Sequence, residues 1–296
     1  GVVETMMSMY GGEIVIKIVT DTTCDLLPEM VEEHDITIVP INIQFGTDSY
    51  QEGVDLDWDL FYRKIEETGL LPTTSQPSAG LFAEVYRRLA REEGADAIVS
   101  THVTGKLSGT YQSACLAAEE VKDEVRVYPH DSLAGSAALG LACMEASRLA
   151  RAGKTAEEIN ARLDEIRSRV NVILVLENLE YPRKSGRVGG LSAALGSLLN
   201  LKPIIELKDG LLDTMETVRT RKKSLNRLMD IMEDRVGTTI PINLGVIHAR
   251  APEVGQEVLS RAKERFNCNE AYLAELCASL TVHFGPGTIG LCFYPV

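Results

Sequence analysis

The chain has 296 residues, 45% of them hydrophobic and 25% charged, the balance of a soluble globular protein with room for two domains. Its net charge of −13 repels phosphate backbones and argues against general nucleic-acid binding. Six cysteines (Cys24, Cys115, Cys143, Cys268, Cys277, Cys292) form no C-x-x-C pair and no Cys/His ligand spacing, so no metal site and a reduced, cytoplasmic setting are expected.

Residues 1–12 carry no periodic pattern and lack the layout of a signal peptide; they are read as a tag remnant or loose start. The β-branched run at 13–19 predicts a strand ending in the polar loop Thr20-Asp21-Thr22-Thr23-Cys24-Asp25. Pro28 opens a short helix to His34, and 36–40 predict a second strand that continues loosely through 41–45. Asp57 caps a helix through Glu67. The uncharged stretch Thr73-Thr74-Ser75-Gln76-Pro77-Ser78 is followed by Leu81, Phe82, Val85, Tyr86 and Leu89 at helical spacing, so Ser78 reads as the N-cap of a helix through Glu93. A strand at 97–100, a loop at 101–109, a helix at 110–121 and a strand at 125–128 come next. The uncharged run 132–144 is read as a core helix and is too short to span a membrane, which takes about 20 apolar residues. Strands alternating with helices predict an α/β fold whose N-terminal domain, residues 13–153, holds a doubly wound, mainly parallel sheet. In such sheets ligands sit at the carboxyl ends of the strands.

Thr155 and Glu158 form a capping box for a helix to Val170, opening a second α/β domain over residues 154–296. A strand at 172–176 precedes a basic, Gly-rich loop at 181–190 and a second uncharged run at 188–201. Strands at 201–207 and 211–218 flank Asp209-Gly210, a hairpin signal not found in the first half, so a mixed sheet is expected. A helix from Lys222 to Val236, strands at 242–247, 271–276 and 289–294, and a helix at 252–266 complete the pattern.

Motifs of catalysis are scarce. Gly105-Lys106-Leu107-Ser108 has the wrong spacing for a P-loop, and the G-x-G-x-x-G match from Gly285 to Gly290 precedes a strand instead of opening a helix. No G-x-S-x-G elbow surrounds a serine. Two stretches, Thr73–Ser78 by number 73–78 and Ser108-Gly109-Thr110, each place hydroxyls before a helix N-terminus, a combination that suits a small anion, although ordinary caps look the same. His102, His130 and His248 read as structural hydrogen-bonders; His283, beside the Gly285–Gly287 turn, could donate to an anion. Arg183-Lys184-Ser185-Gly186-Arg187 and Arg219-Thr220-Arg221-Lys222-Lys223 are basic islands in an acidic chain. Cations at a helix start oppose its dipole, so the second island invites a binding role.

Taken together, TDTTCD (20–25), TTSQPS (73–78), LSGTYQSA (107–114), Asp131-Ser132, KSGRV (184–188), VRTRK (218–222) and HFGPG (283–287) resemble the DegV family of bacterial fatty-acid-binding proteins, the lipid-carrying subunits of fatty acid kinase. The resemblance implies two α/β domains with a long-chain fatty acid (C14–C18) between them as ligand and no cofactor. It implies that Thr73 and Ser108 hold the carboxylate, that His283 supports them, and that Thr74, Ser75 and Gly109 line the pocket. Arg187, Arg219 and Arg221 would face the kinase catalytic subunit, which phosphorylates the bound acid; this chain would not itself be catalytic. Stable membrane insertion and nucleic-acid binding are not implied. The family's first loop usually reads Asp-Ser, with Ser-Ser ahead of SGT, where this chain has Asp21-Thr22 and Thr104-Gly105. Two other readings remain open: an esterase using Ser108, His283 and Asp131 as nucleophile, base and orienter, and a phosphate-ester binding protein using the helix N-termini and basic loops.

Overall fold

The computed structural model describes residues 12–186 and 200–296. The first half runs β1 (Ile16–Asp21), α1 (Pro28–Glu33), β2 (Ile36–Val39), β3 (Asn42–Phe45), β4 (Asp48–Gln51), α2 (Trp58–Thr68), β5 (Thr73–Ser75), α3 (Ala79–Glu93), β6 (Ala97–His102), α4 (Thr110–Glu120), β7 (Arg126–Asp131) and α5 (Ser136–Arg151). Strands β2-β1-β6-β7 form a parallel sheet, as the β/α alternation requires. The second half runs α6 (Ala156–Arg169), β8 (Asn171–Val175), α7 (Glu180–Ser185), β9 (Lys202–Lys208), β10 (Leu211–Val218), α8 (Arg221–Val236), β11 (Ile242–His248), α9 (Pro252–Arg265), β12 (Cys268–Glu275), α10 (Ala278–Phe284) and β13 (Ile289–Pro295). Its sheet, β10-β9-β8-β13-β11-β12, is mixed, with β11 and β12 the parallel pair.

Three expectations need correction. Residues 41–45 do not prolong β2; β3 leaves for a separate antiparallel sheet, β4-β3-β5. Pro40 has no N–H to continue the ladder, and Gly46 at φ +58° turns the chain back as a hairpin, so the first half has one too. The basic stretch begins as a helix, α7, which Gly186 ends at φ +72°; Arg187 and residues 188–199 of the uncharged run lie outside the described residues. Helix α10, which carries His283, went unanticipated.

The core explains the small-residue run. Helix α5 is buried nearly all round, and its apolar side chains join Ile18 and Val99 of the parallel sheet to Leu174, Ile247 and Cys292 of the mixed sheet in one cluster. Backbones approach closely on both sides. A Cβ on Gly140 would strike the Cys24 carbonyl, and one on Gly245 would strike Ala137. Burying Leu139, Leu141 and Met144 there contributes roughly 1.5–3 kcal/mol each. Helices α3 and α4 cover the outer face of the parallel sheet, and α8 and α9 that of the mixed one. The small third sheet packs Ile43 and Phe45 against Phe61 and Val282, tying α10 to the first half.

Candidate binding site

The carboxyl ends of β1, β6 and β7 release three loops toward the mixed sheet, and a cavity of about 390 Å³ lies among them. Leu107, Val172, Leu174, Leu207, Leu212, Ile247, Leu276, Leu280 and Phe284 give it an apolar wall. Thr23, Thr74, Ser75, Gln76, Ser108, Gly109, Ser136, Ser279 and His283 give it a polar one. The volume is in the range of pockets that enclose small ligands.

Five of the six residues expected to meet a carboxylate are therefore brought together: Thr74, Ser75, Ser108, Gly109 and His283. Thr73 is not. On β5, Thr74 stands opposite the fully buried Ile43, while Thr73 stands opposite exposed Gln44 and points to solvent. The strand's two-residue alternation puts Thr74 on the face of Ile43 and leaves Thr73 and Ser75 on the exposed face, from which Ser75 still borders the cavity.

The motif stretches meet at Gly109. A Cβ there would lie 2.9 Å from Gln76 Cδ, so the amide side chain rests on bare backbone. Ser78 caps α3 as expected, its Oγ accepting the Leu81 N–H at 3.0 Å, but it is not part of the cavity. The N-cap of α4 is Gly109 and has no side chain to offer. Ser108 Oγ instead accepts the Thr110 N–H (3.2 Å) and shares a hydrogen bond with Thr110 Oγ1 (2.9 Å). Lys106 also lines the cavity, yet its Nζ donates to the Asp209 carbonyl at 2.6 Å, and Thr104 Oγ1 donates to the Gly210 carbonyl at 2.9 Å. The hairpin turn between β9 and β10 is thus clasped to the 101–109 loop, with Asp209 (φ +51°) and Gly210 (φ +81°) both left-handed.

Beneath the polar wall are three buried carboxyls whose part the sequence did not reveal. Asp21 accepts from Thr23 N–H (2.9 Å) and Val103 N–H (3.1 Å) and pairs with His102 Nδ1 (3.0 Å), whose other nitrogen meets Ser100 Oγ at 2.6 Å. Burial pushes the Asp21 carboxyl up, but His102 and Thr23 outweigh it and leave it below the usual range. Asp25 takes the Ser136 hydroxyl (2.6 Å) and the Cys277 N–H (3.1 Å). Glu52 takes the Thr22 hydroxyl (2.6 Å), the Ser279 N–H (2.8 Å) and the Ser279 hydroxyl (2.7 Å). Burial raises both Asp25 and Glu52, and Glu52 adds to the rise at Asp25. Two carboxyls of the first half therefore receive the free N–H groups at the start of α10, the helix that carries Leu280, His283 and Phe284 into the cavity.

The remaining candidates are placed as follows. Asp131 Oδ1 accepts the Gly105 and Leu133 N–H groups at 3.0 Å each, and Asp131 does not line the cavity, so the Ser108–His283–Asp131 arrangement of an esterase is not assembled. His130 bridges Thr101 and Asp164, and His248 Nδ1 accepts the Ala251 N–H, both structural uses. Burial pushes the thiols of Cys143 and Cys292 up to about 12. Arg219 is exposed, whereas Arg221 turns inward to Glu177 Oε2 (2.8 Å) and the Gly287 carbonyl. Among the described residues no cluster of three His, Cys, Asp or Glu is placed to hold a metal ion, and no helix is long and apolar enough to cross a membrane.

A parallel and a mixed sheet closed over a cavity with one hydroxyl-rich and one apolar wall define the class of α/β protein. Comparison with known proteins narrows it. Residues 15–296 match the family model described as "Uncharacterised protein, DegV family", and the chain belongs to that family. Protein DegV of Bacillus subtilis (strain 168) is 32% identical over 279 residues, covering 94% of this chain and 98% of that one. The solved structure of a DegV family protein from Thermus thermophilus, described as fatty acid binding, superimposes with a TM-score of 0.88 at 32% identity over 95% of this chain and 99% of its own. A stearic-acid-binding protein from Eubacterium ventriosum ATCC 27560 gives a TM-score of 0.86 at 27% identity, over 95% and 98% of the two chains.

Proposed function

We propose that this chain binds one long-chain fatty acid, C14–C18, with its tail along the apolar wall and its carboxylate at Thr74, Ser75, Ser108, the Gly109 N–H and His283. The observation that carries the reading is the cavity itself, which joins a wall of leucines, valine and isoleucine to a cluster of uncharged donors. The fatty-acid binding of related DegV family structures supports it. At about 0.8 kcal/mol per buried CH₂, a tail of some fourteen methylenes supplies an upper limit of roughly 11 kcal/mol. The head group then needs only to be oriented. Neutral hydroxyls do that while leaving the carboxylate oxygen nucleophilic, which fits presentation to a separate fatty acid kinase for acyl-phosphate formation. On this reading the chain is a carrier, cytoplasmic, with residues 13–153 and 154–296 as its two domains.

Native mass spectrometry of the purified protein, followed by lipid extraction, tests the reading: near one C14–C18 acid per chain is expected, and a protein that neither carries nor takes up fatty acid overturns it. Replacing Thr74 and Ser108 together by alanine removes two hydrogen bonds to an ion, about 1.5–3 kcal/mol each, and should weaken binding by at least two orders of magnitude. Of the two described arginines assigned to the kinase face, Arg219 is the exposed one, and Arg219→Ala should leave binding intact while slowing acyl-phosphate formation. Arg221→Ala should instead loosen the Gly285–Gly287 turn it holds.

A further inference from the structure

A single layer of side chains separates the apolar part of the cavity from a second depression. That depression is a charged groove lined by Asp164, Arg167, Arg169, Lys208, Asp209 and Arg235. Ala134, Val172 and Leu207 border both spaces. None of Thr74, Ser75, Ser108, Gly109 and His283 borders the groove.

The layer is held firmly on one side. Leu133 (φ +51°) and Ser136 (φ +55°) hold left-handed backbone on either side of Ala134-Gly135, a strained arrangement kept by its hydrogen bonds. The Leu133 N–H donates to Asp131 Oδ1 (3.0 Å), the Ala134 N–H to Ser132 Oγ (3.1 Å), and the Ala134 carbonyl accepts the Thr104 N–H (2.8 Å). Ala134 cannot swing aside without breaking this set. Only the side chains of Val172 and half-buried Leu207 remain free to set where the space ends.

We propose that Ala134, Val172 and Leu207 form an end wall that sets the longest acyl chain the cavity accepts; this rests on the fatty-acid reading above. Each methylene inside the wall gains about fourfold in affinity from apolar burial. One pushed past it meets the ion pairs Arg235–Glu206 (2.8 Å) and Arg167–Asp164 (3.2 Å) and gains none of this. Affinity for saturated acids therefore climbs with length and then breaks sharply. Leu207→Ala opens the layer toward the groove and moves the break to longer acids; Val172→Phe thickens it and moves the break to shorter ones.

The test is competition among equimolar saturated acids from C12 to C22, read by native mass spectrometry on wild-type protein and both variants. The expected result is a sharp break in the wild-type profile, displaced by two or more carbons in Leu207→Ala with at least a fourfold relative gain for the longer acids. Val172→Phe adds bulk to β8 and can fail to fold, so Leu207→Ala, at a half-buried position, decides alone. A folded Leu207→Ala that binds fatty acid with an unmoved break overturns the end wall and leaves the carrier reading standing. Wild-type protein that binds no acid of any length overturns the carrier reading and the wall with it.

Discussion

Glu52→Ala is the perturbation that the buried network makes most consequential. The lost carboxyl leaves three groups behind: the Thr22 hydroxyl, the Ser279 hydroxyl and the Ser279 N–H. The hydroxyls can rotate to other partners, so each loses about 1 kcal/mol. The N–H, at the second residue of α10 in a side chain environment only 4% exposed, has no such freedom, and stranding it costs about 1–3 kcal/mol. The sum is about 3–5 kcal/mol, a large share of a typical folding stability of roughly 5–15 kcal/mol. Glu52→Gln keeps the volume and the oxygen that meets the N–H, and should cost only about 1 kcal/mol. Urea unfolding followed by circular dichroism measures both. The reasoning is refuted if Glu52→Ala lies within about 1 kcal/mol of wild type, or if Glu52→Gln costs as much as Glu52→Ala.

Four further outcomes follow from the same geometry. Burial raises Glu52 above its ordinary value of 4.5, so its stabilisation is full below that pH and is lost as pH climbs through the raised value; Glu52→Gln should flatten the decline in stability as pH rises above 4.5, measured by urea unfolding at a series of pH values. Asp21, held below its ordinary 3.8, acts with the opposite sign: its stabilisation is present above that value and disappears only on acidification below it, so Asp21→Asn should cost stability at neutral pH and less in acid. Gly109→Ala drives a Cβ toward Gln76 Cδ at 2.9 Å and should weaken fatty-acid binding several-fold, with a melting temperature close to wild type because Gln76 is exposed and can yield. Gly210→Ala combines a left-handed φ of +81° with a Cβ 2.6 Å from Thr104 Oγ1, so a loss of about 1–3 kcal/mol should appear in the same unfolding assay.

Local signals carried much of the fold. Ser78, Asp57 and Thr155 each cap the helix their spacing announces, accepting the N–H of Leu81, Leu60 and Glu158, and Asp209-Gly210 closes the hairpin its residue types demand. What escaped was decided by pairing across long separations. Residues 73–75 are too short and too polar to announce a strand; they become one because β3 offers its edge, and that pairing turns Thr74 inward and Thr73 out. The same holds for Glu52 and Ser279, 227 positions apart in sequence, and for Asp25 and Cys277, 252 apart. A carboxyl's partner at such a distance leaves no trace in local composition.

The site's uncharged character follows from the same buried acids. An arginine or lysine placed against Asp21, Asp25 or Glu52 would pair with them and close the space, since an opposite charge at low dielectric binds whatever carboxylate is nearest. Lys106, the one ammonium among the described residues of the cavity lining, shows the alternative: its Nζ is held at 2.6 Å by the Asp209 carbonyl at the hairpin turn. Hydroxyls and a bare glycine N–H escape this competition because each serves one acceptor at a time and carries no net charge. On the fatty-acid reading, the carboxylate therefore goes to the wall lined by Thr74, Ser75, Ser108 and Gly109, above the buried acids, and the long tail to the apolar wall.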